Sequence, residues 1–363
     1  MNDLLTRRAV VAGMGVLGLG LLAGCSPARG LDFKYGKNMS NEILGRKFKL
    51  KDPQGNERTL SSFYGSMPMI FFGFTQCPAV CPTAMARVAQ IRKILRGRDR
   101  DLFQPVFITL DPERDTPEVL DAYVKAFDPS IVALTGTPEE IDAVAREFKV
   151  FYEKVPAGDT YTISHSSTSY VYDTRGTLRL SLGHSLNAQE CAEDLVTLME
   201  ICSMSMQPIK RGLAALALMS LALPALAQTT VSDAWVRASV PHQHATGAFM
   251  TLTASSDSKL VSVASPVAKT VQVHEMTMNG DVMGMREVKA VELPAGKAVK
   301  LDPNGFHVML MGLNQQVKEG EQVPLTLTIE DAKGAKETLQ VQAPVRALNA
   351  EAGAGHDHMH MNH

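Results

Sequence analysis

Two cysteines stand four residues apart in a stretch that reads FFGFTQCPAVCPT. An apolar run precedes Cys77, and apolar residues follow Cys81 at helical spacing, so we expect a strand that passes into a helix here. Residues at i and i+4 share one helix face, and a helix N-terminus stabilises the thiolate form of cysteine. Cys77 and Cys81 could therefore share a metal ion, form a disulfide or act as a redox pair. The spacing alone leaves these three alternatives open.

Histidine and methionine are concentrated in the last third of the chain. Eight of the ten His follow position 240, and six of the 19 Met lie between positions 276 and 311. Strand alternation places His274 and Met276 on one face of a strand, and His307 and Met309 on one face of a later strand. Imidazole and thioether groups gathered in this way are typical of a copper site. The alternative is that the Met residues only fill a core.

A hairpin is expected to bring these residues together. Asn279-Gly280 is a strong two-residue turn signal, and a turn centred there puts Met276 opposite Met283 and His274 opposite Met285. Directly opposed residues have Cβ atoms about 5 Å apart, which is near enough for both side chains to bind one ion. The pattern therefore predicts that the hairpin pairs a His with a Met.

The elements that must position these residues differ between the two halves of the chain. In the first half, apolar runs alternate with helical spacing, which is typical of an α/β sheet rich in parallel strands. In the second half, short β-like runs are separated by turn residues, which is typical of an antiparallel sandwich or barrel. We expect strands near 68–74, 103–110, 131–134, 168–172 and 177–181, then near 246–254, 270–278, 286–293, 305–311, 323–329 and 337–343. Helices are expected near 81–95, 116–127, 138–148 and 187–201.

Three motifs in the first half resemble the Sco/SenC family: FGFTQCPAVCPT, then LDPERDTP, then SHSSTSYVYDTRG. The resemblance covers about residues 40–203 and implies a thioredoxin-like fold and copper handling for the CuA centre of cytochrome c oxidase. The family's copper ligands, two Cys and one His, fall on Cys77, Cys81 and His165. Such a set suits Cu(I) and can also hold Cu(II). This chain has Ala79 inside the Cys loop and Ser164 before the His, where the family usually has Asp.

The second half contains a spacing similar to the motif of the PCu(A)C family. Ten residues separate His274 from Met285, twenty-one residues separate Met285 from His307, and one residue separates His307 from Met309. The resemblance covers about residues 230–345 and implies a periplasmic copper chaperone with a cupredoxin-like β-sandwich. A His and Met site contains no ionisable thiol and favours Cu(I) through its soft thioethers. Accessory copper ligands are expected among further His and Met residues, namely Met276, His242, His244, His356, His358, His360 and His363.

Two segments have the composition of export signals. The first ends in Leu-Ala-Gly-Cys25, which resembles a bacterial lipobox and implies a lipid on the Cys25 sulfur. The second has a basic start, an apolar run and small residues that end at Ala227. We therefore predict five segments: a lipoprotein-type signal at 1–25, a thioredoxin-like domain at 31–203, a signal-like apolar segment at 204–227, a β-sandwich domain at 228–346 and a His/Met-rich tail at 347–363. The mature product is either one chain or two chains cut near Ala227.

The charge balance bears on the class of partner. A formal charge of −2 gives no basic field for nucleic acid, so nucleic-acid-binding proteins are excluded.

We expect a periplasmic copper chaperone, tethered to the membrane by lipidated Cys25, that passes copper to subunit II of cytochrome c oxidase and meets other periplasmic copper or thiol-redox proteins. Two alternatives stay open. One is a thiol-disulfide oxidoreductase acting on the cysteines of that subunit through a Cys77–Cys81 disulfide. The other is a protein that only sequesters copper, which the His/Met tail favours.

Overall fold

The first half of the chain alternates strands and helices, as the sequence predicts. The computed structural model describes residues 31–203 and 229–350, and the described residues from Phe33 onward belong to one compact unit. The strands of the first half are β1 (Lys37–Asn38), β2 (Lys49–Lys51), β3 (Glu57–Thr59), β4 (Met67–Gly73), β5 (Phe103–Thr109), β6 (Val132–Leu134), β7 (Tyr152–Ala157), β8 (Thr160–Ser166), β9 (Ser169–Tyr172) and β10 (Leu178–Leu182). The helices are α1 (Val80–Ile94), α2 (Gly97–Leu102), α3 (Pro117–Lys125), α4 (Pro138–Glu147) and α5 (Ala188–Ser203).

Six of these strands form one mixed sheet in the order β1-β10-β9-β4-β5-β6. Strands β4, β5 and β6 are parallel, whereas β9, β10 and β1 pair in antiparallel fashion. Every residue of β4 is buried, as expected for a central strand covered on both faces. Helices α3 and α4 begin at the predicted residues because Thr116 and Thr137 cap them through their side-chain oxygens. The thioredoxin-like α/β prediction is confirmed.

The second half consists of strands that enclose one core. They are β11 (Thr230–Arg237), β12 (Ala245–Thr253), β13 (Ser258–Ala264), β14 (Ala268–Asn279), β15 (Val282–Glu287), β16 (Val291–Leu293), β17 (Ala298–Leu301), β18 (Phe306–Leu313), β19 (Gln322–Asp331) and β20 (Lys336–Arg346). Their order is β16-β13-β19-β20-β11-β12-β17-β18-β14-β15. Strands from both ends of this order share one buried cluster, as Leu260 of β13 and Leu310 of β18 illustrate. The sheet therefore folds over onto itself, and the all-β sandwich prediction is confirmed.

Some strands of the second half differ from the prediction. The run expected over 286–293 is divided, because β15 ends at Glu287 and β16 begins at Val291. Strands β11, β13 and β17 were not predicted. The single Trp, Trp235 of β11, is buried against the Phe249 ring at 4.6 Å between centroids.

The hairpin of β7 and β8 was not predicted either. Most residues of β7 are exposed or half-buried, and Pro156 interrupts the run, so the segment gives no clean alternation of apolar and polar residues. The hairpin extends the sheet of the second half, because β8 pairs in antiparallel fashion with β15. A strand from the first half thus forms the outer edge of the other half's sheet.

The register predicted for the β14–β15 hairpin is wrong by two residues. Met276 lies opposite Met285, Met278 opposite Met283, and His274 opposite Glu287. The turn residues are Gly280 and Asp281, and Gly280 has a φ of +59°. Glycine at the first central position is what a type II′ turn requires, and that geometry competes with an Asn-Gly turn one residue earlier. A shift of two residues keeps every side chain on its predicted face.

Several predicted features lie outside the described residues. They are the two signal-like segments, 1–25 and 204–227, and the tail from residue 351 onward, with Cys25, His356, His358, His360 and His363. Within the part of the chain that the structure describes, the helices are too short or too polar to cross a bilayer.

Candidate metal centres

Of the two cysteines of the first candidate site, Cys81 lies in the first turn of α1 and Cys77 lies in the loop between β4 and α1. Both side chains are fully buried, and the backbone N–H of Cys81 donates to the Cys77 sulfur at 3.5 Å. Cys77, Cys81 and Cys191 are free thiols, so the Cys77–Cys81 disulfide considered from the sequence is not formed here. The two sulfurs are brought together as the spacing predicts, although the turn of the loop into the helix does this and not a shared helix face.

His165 of β8 completes this cluster. Its Nε2 atom lies 3.7 Å from the Cys81 sulfur, and its Nδ1 atom donates to the Ser166 carbonyl oxygen at 2.8 Å. That hydrogen bond fixes the tautomer and leaves the Nε2 lone pair facing the Cys81 thiol. With metal–ligand distances of about 2.3 Å to sulfur and about 2.0 Å to nitrogen, one ion holds S and N about 3.5–3.7 Å apart. The Cys81–His165 separation therefore already suits a shared ion.

The charge states of this cluster suit a soft cation. Burial raises the pKa of Cys77, but the Cys81 thiol and backbone N–H groups of the loop outweigh it and lower that pKa to about 7. Burial and the neighbouring Cys77 raise the pKa of Cys81 well above its usual value. Burial lowers the pKa of His165 to about 4, so the imidazole is neutral at pH 7. At pH 7 Cys77 is therefore partly ionised, and His165 is a neutral ligand.

A buried carboxyl group holds the loop before Cys77 in place. Asp115 accepts hydrogen bonds from the Thr75 backbone N–H at 3.0 Å, the Thr75 hydroxyl at 2.5 Å and the Thr109 hydroxyl at 2.7 Å. Burial raises the pKa of Asp115 to about 7, although these hydrogen bonds oppose the rise. No role was predicted for Asp115, which lies in the LDPERDTP motif. The same connection also contains Asp111, Glu113 and Arg114, so no local signal distinguishes Asp115 from its charged neighbours.

The second candidate site lies on one face of β14, β15 and β18. His274 is directly opposite His307, Met276 is opposite Met285, and cross-strand partners share one face. Met309 follows His307 by two residues and shares that face. All four predicted ligands are buried, with exposed fractions of 2% for His274, 3% for Met285, 0% for His307 and 2% for Met309. Met276 is half-buried beside them.

Each imidazole of the second site has one anchored and one free nitrogen. The Nε2 atom of His274 donates to the Gln272 side-chain oxygen at 3.0 Å, and the Nδ1 atom of His307 donates to the Gly305 carbonyl oxygen at 3.1 Å. The remaining atoms, His274 Nδ1 and His307 Nε2, are buried without a hydrogen-bond partner. Unpaired buried nitrogens are costly, and metal ligation satisfies them. Burial lowers the pKa of both His residues to about 4, so both are neutral ligands at pH 7.

The structure does not gather every predicted accessory ligand. His242 and His244 lie on the loop before β12 with exposed side chains, whereas the second site is buried. Within residues 31–203 and 229–350, no three His, Cys, Asp or Glu side chains lie close enough together to hold a metal ion as they stand, so Cys77, Cys81 and His165 would have to close around an ion. The second site accordingly depends on thioethers beside its two imidazoles.

The two candidate sites face a common boundary within the compact unit. His165 is the cross-strand partner of Met283, and the Ser167 N–H donates to the Asp281 carbonyl oxygen at 2.9 Å. The loop before Cys77 is also held by the second half, because the Gln243 side chain donates to the Thr75 carbonyl oxygen at 2.8 Å. Sequence reasoning missed Met283, since the strand pairing that places it beside His165 has no local signal.

Comparisons with known proteins agree with this two-part organisation. A family model described as SCO1/SenC matches residues 36–200, and a model described as LpqE-like matches residues 229–345. A SCO2-like protein of Rickettsia felis is 38% identical over 171 residues, which cover 46% of this chain and 82% of that relative. The mitochondrial SCO1 homolog of Homo sapiens is 34% identical over 190 residues, which cover 50% of this chain and 63% of that relative.

Solved structures match each half separately. The crystal structure of Arabidopsis thaliana ScoI with copper bound aligns at 31% identity and a TM-score of 0.41, covering 44% of this chain and 99% of that one. The copper-bound PCuAC domain from PmoF2 aligns at 22% identity and a TM-score of 0.27, covering 34% of this chain and 97% of that one. The resemblances to two families are confirmed by the two family models. The chain belongs to the SCO1/SenC family over residues 36–200, and its residues 229–345 match the model described as LpqE-like.

Proposed function

We propose that this chain is a copper chaperone with two sites for its cargo. One site consists of Cys77, Cys81 and His165, and the other consists of His274, Met285, His307 and Met309. Copper is the cargo because thiolate, thioether and imidazole are its preferred soft ligands, whereas calcium and magnesium require oxygen ligands. The all-His/Met site favours Cu(I), and the Cys and His site also accommodates Cu(II).

The observation that carries the proposal is the set of free imidazole nitrogens. In all three His residues one ring nitrogen is anchored to an oxygen acceptor, and burial keeps the ring neutral. In the second site the other two nitrogens are buried without a partner and lie on the face that carries the thioethers. Such fixed tautomers with a free lone pair are typical of metal ligands, because the outer hydrogen bond orients the ring.

We propose that the cargo supplies the CuA centre in subunit II of cytochrome c oxidase. Membership of the SCO1/SenC family over residues 36–200 supports this recipient. We place the protein in the periplasm, tethered through lipid on Cys25, and the lipobox-like sequence before Cys25 supports that location. Copper would pass by ligand exchange, in which a ligand of the acceptor binds as a ligand of the donor leaves.

A second candidate function is reduction of a target's disulfide. The low pKa of Cys77, about 7, favours it, since a thiolate is the attacking species. Cys77 would attack the target disulfide and Cys81 would release the target, so that the pair supplies two electrons and becomes a disulfide. Burial argues against this role in the present arrangement, because both cysteines are 0% exposed and a protein disulfide cannot reach them. Loading of a single ion needs far less access, whereas handover to an acceptor protein requires the site to open.

Anaerobic titration of the full chain with Cu(I) tests the proposal. We expect two ions per chain, one lost in Cys77→Ser and the other lost in His307→Gln. Met250→Leu is the matched control, because Met250 is buried in the hydrophobic core of the sandwich, away from the ligand set. In cells, either ligand variant should lower the copper content and activity of the oxidase.

Two outcomes would contradict this assignment. Uptake that does not depend on these ligands would exclude both sites. Normal oxidase assembly in the ligand variants, combined with lower copper tolerance, would identify a sequestering protein instead.

A further inference from the structure

Met283 lies between the two candidate sites on one sheet face. It is the cross-strand partner of His165 and stands two residues before Met285 on β15, so all three side chains point to the same side. Cβ atoms of directly opposed residues are about 5 Å apart. The Met283 side chain is 0% exposed. A fully buried thioether thus adjoins a ligand of each site, although no family motif of this chain includes it.

The boundary between the two halves is packed with buried side chains, and Met283 is one of them. Ala157 of β7 packs in one buried cluster with Ala245, Met309 and Met311 of the second half. A Cβ atom on Gly247, the cross-strand partner of Met309, would lie 3.1 Å from the carbonyl oxygen of Pro78 in the Cys loop. The ligand-bearing face of the sandwich is therefore covered by the first half, and an ion that moves between the sites stays in a dry region.

A dry region restricts how an ion can cross it. An unligated cation in a medium of low dielectric constant carries a large desolvation cost, so each step must form a new bond before an old one breaks. A thioether is a neutral soft ligand and can bond Cu(I) at that boundary without adding charge. On the paired segment of β8 and β15, Met283 occupies the position between His165 and Met285.

We propose that Met283 is a transfer ligand that carries Cu(I) between the two sites within one chain. The proposal rests on the copper function proposed above. A bond from copper to the Met283 sulfur forms as the bond to Met285 breaks, and a bond to His165 Nε2 then forms as the Met283 bond breaks. Copper remains Cu(I) throughout. The Cys77 and Cys81 sulfurs complete the shell, and the protons they still hold leave to solvent.

The experiment follows one Cu(I) ion inside the full-length chain. With Cys77 and Cys81 oxidised to a disulfide, the first site has no thiolates, so Cu(I) loads only the His and Met site. A phosphine reductant then frees the thiols, and arrival of the ion is recorded by the ultraviolet absorption of copper bound to thiolate. Parallel thiol assays on metal-free protein give the rate of disulfide reduction.

Met283→Leu removes the thioether and keeps a buried apolar side chain of similar volume. In the unsubstituted chain we expect the rate of Cu(I) transfer to equal the rate of disulfide reduction and to be independent of protein concentration. We expect Met283→Leu to slow transfer by about tenfold or more, which is the size of effect seen when a group that supports a metal ligand is removed. The Cu(I) affinity of each site should be unchanged. Met278→Leu is the matched control, because Met278 is the other cross-strand partner of Met283 and is 45% exposed.

A second pair of variants distinguishes loss of the sulfur ligand from a packing defect. Met283→Cys and Met283→Ser have similar volumes, but only the Cys variant restores a soft ligand, so only it should recover fast transfer. Unchanged transfer in Met283→Leu, or equal rates in the Cys and Ser variants, would overturn the proposal and indicate passage past Met309 to the Cys loop. Transfer that scales with protein concentration would also overturn it. Absence of any Cu(I) uptake would instead refute the copper function itself.

Discussion

Acidification should destabilise the metal-free second half through its two buried imidazoles. Burial lowers the pKa of His274 and His307 to about 4, whereas an unfolded chain has His pKa values of about 6.5. The unfolded state therefore binds more protons between these values. Stability is complete above about pH 6.5 and falls as the pH drops from there towards about 4.

The size of the effect follows from the two pKa values. At pH 5 an imidazole with a pKa of about 6.5 unfolded and about 4 folded costs about 2 kcal/mol, because folding must displace its proton. Two such residues cost about 4 kcal/mol, which is a large part of the roughly 5–15 kcal/mol that stabilises a domain. The 2% and 0% exposed fractions of these side chains argue against strong screening by solvent.

Trp235 allows this loss of stability to be measured. It is the one Trp of the chain and is buried in the second half, so its fluorescence reports unfolding of that half. Urea unfolding of the reduced, metal-free chain at pH 7 and pH 5 should differ by about 4 kcal/mol in the free energy of unfolding. His307→Gln should reduce that difference to about 2 kcal/mol, because it removes one of the two titrating groups.

Met309→Leu is the control for packing, since it alters the neighbouring side chain without removing a titrating group. It should retain the full pH difference. The reasoning is refuted if His307→Gln also retains it, or if proton magnetic resonance shows His307 titrating near its ordinary value in the folded chain.

Two more expectations concern groups that support the ligands. Gln272→Ala removes the oxygen that accepts a hydrogen bond from His274, so Cu(I) affinity of the second site should fall about 10–100-fold in chelator competition, with the first site unaffected. The thiolate absorption of Cys77 in the metal-free chain should titrate with a midpoint of about 7, and Cys81→Ala should raise that midpoint because it removes the thiol hydrogen bond that lowers the pKa of Cys77. An unchanged titration midpoint in Cys81→Ala would contradict the assigned cause of the low Cys77 pKa.

Part of each ligand set could be predicted from short-range patterns, whereas His165 was assigned only through the resemblance to the Sco/SenC family. Cys77 and Cys81 are four residues apart at the entry to one helix, and strand alternation alone assigns His307 and Met309 to one face. The hairpin register was missed because two turn centres compete within three residues, and only the turn geometry of Gly280 decides between them. The error did not move the site, since a shift of two residues preserves the face.

The proximity of the two sites could not be predicted in this way. It depends on β8 pairing with β15, and more than a hundred residues separate His165 from Met283 in sequence. The β7–β8 segment lacks apolar alternation because most residues of β7 are exposed or half-buried and Pro156 interrupts the run, so even its existence as a hairpin was not evident. Long-range strand pairing is determined by burial against the other half of the chain, which a local pattern does not contain.

The edge pairing of β8 with β15 bears on the fate of a chain cut after Ala227. Strand addition to a sheet edge is a common way for separate polypeptides to associate, since backbone hydrogen bonds and interlocking side chains do not require covalent continuity. We therefore expect the two products of such a cleavage to remain together as a heterodimer. Processing at the internal signal-like segment would then change the number of polypeptides without separating the two halves of the molecule.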